Sequence, residues 1–183
     1  MNMKKSIKRT VWIRTVAALV SILLFSFVTT ANILRIQGVQ SANTQAAALL
    51  QRAQAAETAH YKWASNLSNA LYAGTEFTGS TTPDTCVLGQ WIYGPADTDD
   101  AAILKLRSEM EPLHKELHES AVYVLDLLKT DPQQARNYYQ NEIQSNLSVL
   151  VSKLDQVVSL LGDAKTASEA KMQSIISIMH GTS

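Results

Sequence analysis

Three of the four histidines and the only cysteine of this chain form the set of residues with the most chemistry in it: His60, Cys86, His114 and His118. His114 and His118 stand four apart in a stretch that reads as helix, so both imidazoles point the same way. Cys86 opens the Gly-containing turn Cys-Val-Leu-Gly-Gln-Trp, and His60 lies three residues before Trp63 in another helical stretch. Three imidazoles and one thiolate make a complete tetrahedral shell for Zn2+, with no position left for a reactive water. The pattern therefore points to a bound, non-catalytic metal. Taken singly each histidine reads more simply as a core or surface residue, and Trp63 and Trp91 as core packing that can also dry and shape a pocket. The case rests on the combination, with two histidines on one rigid face.

The thiol supports it. One cysteine cannot form an intramolecular disulfide, and outside the cytoplasm a free thiol is a liability unless it is ligated or buried. Metalloprotease chemistry is disfavoured. The zincin motif needs Glu directly after the first His, whereas here the order is His114-Lys115-Glu116-Leu117-His118. Two steps along a helix turn Glu116 about 200° from the histidine face. Asp97-Thr98-Asp99-Asp100 lacks the Gly and Glu of a calcium loop and reads as a helix cap. One of Glu57, Glu111 and Glu119 is a candidate hydrogen-bond partner for a ligand imidazole. His180, in the tail, reads as exposed and idle.

The elements that must position these residues are helical. Ala, Leu, Ser and Gln abound, while there are 7 Gly and 4 Pro, a composition for long helices. No Gly or Pro interrupts residues 42–73, where apolar residues from Ala46 to Leu71 recur near helical spacing around His60. This predicts one long helix, fading at Gly74 and continuous with the apolar stretch before it, with Gly38 as its flexure. Residues 74–97 hold most of the Gly and Pro and read as irregular, with a short helical turn near Val87–Ile92. A third element starts at a cap on Asp97 or Thr98 and runs to about Leu128, with a kink or break expected at Pro112. Asp131-Pro132 is a helix start. The fourth element extends from it to about Ile178 with the stripe Ile143, Leu147, Leu150, Val151, Leu154, Val157, Val158 and Leu161. Long helices with short connections predict an all-α, antiparallel four-helix bundle.

Before the bundle lies an apolar span. Twenty residues separate Arg14 from Arg35 without a charge, about 30 Å of helix and the thickness of a bilayer core. Lys4, Lys5, Lys8, Arg9 and Arg14 precede it. The positive-inside rule then places residues 1–14 in the cytoplasm, residues 15–36 as a transmembrane signal anchor, and the sensory bundle, residues 42–178, outside. A cleaved signal peptide, with an apolar run over Val16–Val28 and Thr29-Thr30-Ala31 as cleavage site, exports the bundle equally well. The apolar tail over Met172–Met179 is too short to span again. Net charge is zero, with 16 acidic and 16 basic residues, which argues against a nucleic-acid partner.

His60-Tyr-Lys-Trp63, Cys86-Val-Leu-Gly-Gln-Trp91 and His114-Lys-Glu-Leu-His118, with gaps of 26 and 28 residues, resemble the HxxW, CxLGxW and HxxxH signature of the chemoreceptor zinc-binding (CZB) domain, over about residues 45–161. The resemblance implies a four-helix bundle holding one Zn2+ through His60, Cys86, His114 and His118. It also implies a sensory, non-enzymatic role in bacterial chemoreceptors and cyclic-di-GMP enzymes, responding to zinc or to hypochlorous acid through the zinc-bound thiolate. Many members sit in the cytoplasm beside a signalling domain. This chain is instead expected at a bacterial inner membrane, single-pass, with the domain periplasmic or extracellular. No kinase-coupling hairpin or cyclase is legible, so the signalling partner is unknown. A homodimer is expected, because bundles on one membrane helix commonly pair. The competing reading is a metal-free, small-molecule-binding ectodomain of a chemoreceptor.

Overall fold

A computed structural model describes residues 3–181, with side chains described for residues 8–178. The expectation for His180 falls on a side chain outside the described ones, as do those of Lys4 and Lys5. All regular elements among the described residues are helical: α1 (Met3–Ala73), α2 (Val87–Tyr93), α3 (Ala101–Leu127), α4 (Pro132–Tyr138), a π-helical turn (Tyr139–Ile143) and α5 (Gln144–His180). The chain divides into two compact units, Thr44–Ala167 and Met1–Asn43 with Ser168–Ser183.

In the second of these, the N-terminal part of α1 is long and apolar enough to cross a membrane by length and composition. Its large side chains face outward, with Phe25 and Phe27 about three-quarters exposed. A water-facing helix would not carry such a surface, whereas a lipid-facing helix or a signal sequence does. Helix α1 runs unbroken through Gly38, since one glycine costs only about 1 kcal/mol against alanine. The helix ends before Gly74, whose φ of 68° is the left-handed conformation that closes helices.

The unit Thr44–Ala167 carries the core. Leu49, Ala53, Ala56, Leu67 and Leu71 of α1 share one apolar cluster with Met110, Leu117 and Val124 of α3 and Leu147, Leu150, Leu154 and Val157 of α5. Polar ties fix the helices at the edges. The Tyr139 hydroxyl donates to Ala64 O (2.9 Å), Arg136 Nε to Leu71 O (3.1 Å), and Lys153 Nζ to Glu109 (2.7 Å).

Two expected boundaries move. Helix α3 is capped by Asp100, whose carboxylate accepts from the N–H groups of Ala102 and Ile103, not by Asp97 or Thr98. Asp97 is taken by Arg52 and by the Trp91 indole, and Thr98 Oγ1 accepts from the Asp100 N–H. The break expected at Pro112 does not occur. Helix α3 continues through it, and because Pro112 and Ser108 are both exposed, water can satisfy the carbonyl that the proline leaves free. The start at Asp131 is as read, with its side chain accepting from Gln134 N–H (3.0 Å) and Pro132 in the first turn.

The fourth element contains a π-helical turn that was not foreseen. Ala135, Tyr139, Ile143 and Leu147 are all buried at intervals of four. Four residues overrun an α-helical turn by about 40°, so in an α-helix this row would rotate off the core. The wider winding at Tyr139–Ile143 takes out that drift.

Leu150 is fully buried, so Leu150→Ala should destabilise the unit by about 2–5 kcal/mol, and Asp131→Ala by about 1 kcal/mol through loss of the cap. Urea unfolding of the full chain in mild detergent, followed by circular dichroism, checks both.

Candidate metal centre

Each of the four residues reaches the interior by a different local device. His60 lies on the buried face of α1 with Trp63, three residues on. His114 and His118 lie one turn apart on α3, both essentially without exposure, with fully buried Leu117 between them. Cys86 is the N-cap of α2, in extended conformation, and its sulfur accepts from the Gly89 N–H (3.3 Å). Gly89 explains the Leu-Gly step of this turn. A Cβ there would overlap the Pro83 carbonyl, so only glycine lets the chain before Cys86 pass so close to α2.

These segments converge. One donor atom from each of His60, Cys86, His114 and His118 lies within 4.8 Å of the other three. Cys86 Sγ is 3.1 Å from His114 Nε2 and 3.9 Å from His60 Nε2. Zinc bond lengths imply ligand–ligand separations of roughly 3.3–3.6 Å around a tetrahedral ion, and the two measured distances straddle that range. The rings pack edge-on, with centroids 4.6 Å apart for His114 and His118 and 5.2 Å for His60 and His114.

Hydrogen bonds fix two of the tautomers. His60 Nδ1 meets Ala56 O at 2.7 Å and His118 Nδ1 meets Ser80 O at 2.9 Å. A carbonyl oxygen can only accept, so each Nδ1 carries the proton and each Nε2 keeps a lone pair. His118 Nε2 is buried with no protein partner, an arrangement that costs free energy unless a cation takes the lone pair. His114 Nδ1 is likewise buried and unpartnered among the described atoms. The candidate glutamates do not serve these rings: the partners seen are backbone carbonyls, while Glu111 accepts from the Tyr93 hydroxyl and Glu119 pairs with Lys115.

Burial lowers the pKa of all three histidines, His114 to about 3 with the neighbouring His118 and His60 adding to the effect. At neutral pH all three are uncharged, as metal ligands must be. Burial pushes the Cys86 thiol up, and the N–H groups of Gly89 and Leu88 pull it partly back. The donor set therefore fits a soft or borderline divalent cation. Once bound, such an ion holds a cysteine ligand as thiolate, the form that oxidants attack.

A cleft of about 410 Å3, lined in part by Lys62, Trp63, Asn66 and Ser80, reaches Cys86, His60 and His118 from outside. Trp91 is also buried, with its indole N–H on Asp97 (3.0 Å).

Residues 60–125 match the family model of the chemoreceptor zinc-binding domain. The segment is similar to that domain. It contains His60, Cys86, His114 and His118 together, and a domain of this family is a zinc-binding one. No curated protein and no solved structure matches the chain.

Gly89→Ala should lower bound metal to well below that of the unmodified chain while leaving helicity largely intact. Elemental analysis beside far-UV circular dichroism of the full chain checks this.

Proposed function

We propose that the CZB-like domain of this chain holds one Zn2+ through His60, Cys86, His114 and His118 and acts as a membrane-anchored sensor rather than an enzyme. The observation that carries the reading is the buried, partnerless Nε2 of His118, turned toward a cluster of three further donors within 4.8 Å. Four protein ligands close a tetrahedral shell and leave no place for a hydrolytic water, which supports sensing over catalysis. The stimulus is zinc itself or an oxidant such as hypochlorous acid, and the cleft that reaches Cys86 supports access by a small solute. Loss of the thiolate ligand would weaken the site and release the helices it joins.

The fold that suits this role is an antiparallel four-helix bundle, supported by the single core shared by α1, α3, α4 and α5. The N-terminal part of α1 anchors it in a bacterial inner membrane as a single pass. The basic residues before the span support a cytoplasmic N-terminus and a periplasmic domain. A homodimer in a chemoreceptor-like assembly, coupled to a signalling partner, completes the proposal.

The full chain purified in detergent should contain about one zinc per chain. Cys86→Ala and His118→Ala should each reduce this, and a strong chelator should lower the melting temperature of the unmodified chain, since binding to the folded state alone stabilises it. A chain that is free of metal and equally heat-stable with and without chelator would favour the small-molecule-binding ectodomain instead. For the topology, a membrane-impermeant reagent applied to intact cells should label a cysteine introduced at exposed Thr81 in a Cys86→Ala background. Labelling only after lysis would put the domain in the cytoplasm.

A further inference from the structure

The Ser80 carbonyl oxygen accepts two hydrogen bonds. Trp63 Nε1 donates to it at 2.7 Å and His118 Nδ1 at 2.9 Å. These groups come from three segments: Trp63 from α1, Ser80 from the chain between α1 and α2, and His118 from α3. The two rings also touch, with centroids 5.4 Å apart.

We propose that Trp63 is a positioning residue for the metal centre, acting through the Ser80 carbonyl to hold His118 with its Nε2 lone pair turned to the ion. The inference rests on the zinc reading above.

The chain around Ser80 is shaped for this task. Asn66, one turn beyond Trp63 on α1, accepts the Thr78 N–H on its side-chain oxygen (2.8 Å). Phe77 packs edge-on against Trp63 with ring centroids 5.7 Å apart. Between these contacts Gly79 lies so close to the indole that an added Cβ would come within 2.8 Å of Trp63 Cδ1 and 2.5 Å of the Phe77 ring. The segment 77–80 is thus strapped across Trp63, which sets where the Ser80 carbonyl stands. That carbonyl in turn fixes the tautomer and the rotation of the His118 ring. Without it, Nδ1 would be a second unpartnered nitrogen on a buried ring whose Nε2 already lacks a protein partner.

The spacing of His60 and Trp63 then acquires a mechanical meaning. Residues three apart share a helix face, so one face of α1 contributes a ligand directly and steers a second ligand on α3. Outer partners of ligand histidines typically change metal affinity by about 10–100-fold, and the indole is one bond further out.

The test is Zn2+ affinity by competition with a chromophoric chelator, together with the Co2+ absorption spectrum, on the full chain in detergent. Trp63→Phe keeps an aromatic ring and removes the N–H donor together with part of the indole. It should weaken Zn2+ binding about tenfold or more and shift the Co2+ ligand-field bands. The same substitution in a His118→Ala background should cause little further loss, because the residue it acts through is gone. Gly79→Ala, which leaves the indole intact but displaces the strap, should behave in the same coupled way and gives the reading should Trp63→Phe prove poorly folded. Wild-type-like Zn2+ affinity in both variants, or equal losses with and without His118, would overturn the positioning role alone. An unmodified chain that takes up neither Zn2+ nor Co2+ would remove the zinc reading and this inference with it.

Discussion

Three imidazoles and a thiol are held together inside a helical core, and the rest of the unit Thr44–Ala167 is organised around that constraint. Such groups are poor core material. Each carries lone pairs or protons that water would otherwise satisfy, and their burial is favourable only when every polar atom finds a partner. Two ring nitrogens are supplied with backbone carbonyls, Ala56 O for His60 and Ser80 O for His118, and the sulfur with the Gly89 N–H. His118 Nε2 is left without a partner among the described residues, and one donor atom from each of the four residues converges on one point. The arrangement reads as a polar network with its central member, a cation, provided from solution.

The surroundings follow from that demand. Fully buried Leu67, Leu117 and Met110 keep water from the helices that carry the ligands. The chain between α1 and α2 cannot be a free loop, because it must present the Ser80 carbonyl and then pass beneath Gly89. This accounts for the glycines at 79 and 89, neither of which has positive φ: both are needed for closeness, not for backbone conformation. Ion pairs add little here. Lys105–Glu109, Lys115–Glu119 and Lys129–Asp126 are mostly exposed, and such pairs contribute at most about 1 kcal/mol each.

Much of this was legible in the sequence, and what was not has identifiable causes. The four candidate ligands could be singled out because metal chemistry restricts residue type as well as spacing, and the structure brings one donor atom of each within 4.8 Å of the others. Helices were legible from the apolar stripes, and the start at Asp131-Pro132 from the cap and the fixed proline dihedral. Asp97 misled because a carboxylate near a helix start can equally well serve a neighbour, here Arg52 and Trp91. Pro112 does not break α3 because an exposed proline leaves its orphan carbonyl to solvent. Backbone carbonyls as partners of His60 and His118 were invisible, since every residue has one and none is marked by its side chain. The intervals of four at Ala135, Tyr139, Ile143 and Leu147 were a readable sign of π winding that was not used.

That π-helical turn governs where the chain can change length. It accommodates one surplus residue, so deleting a single position among residues 140–142 would return the segment to ordinary α winding while α5 kept its place in the core. The same deletion between His114 and His118 would swing one imidazole about 100° around α3 and away from its neighbour. Natural variation in length is therefore expected to gather at the π-helical turn, while the interval between the two histidines stays fixed at four.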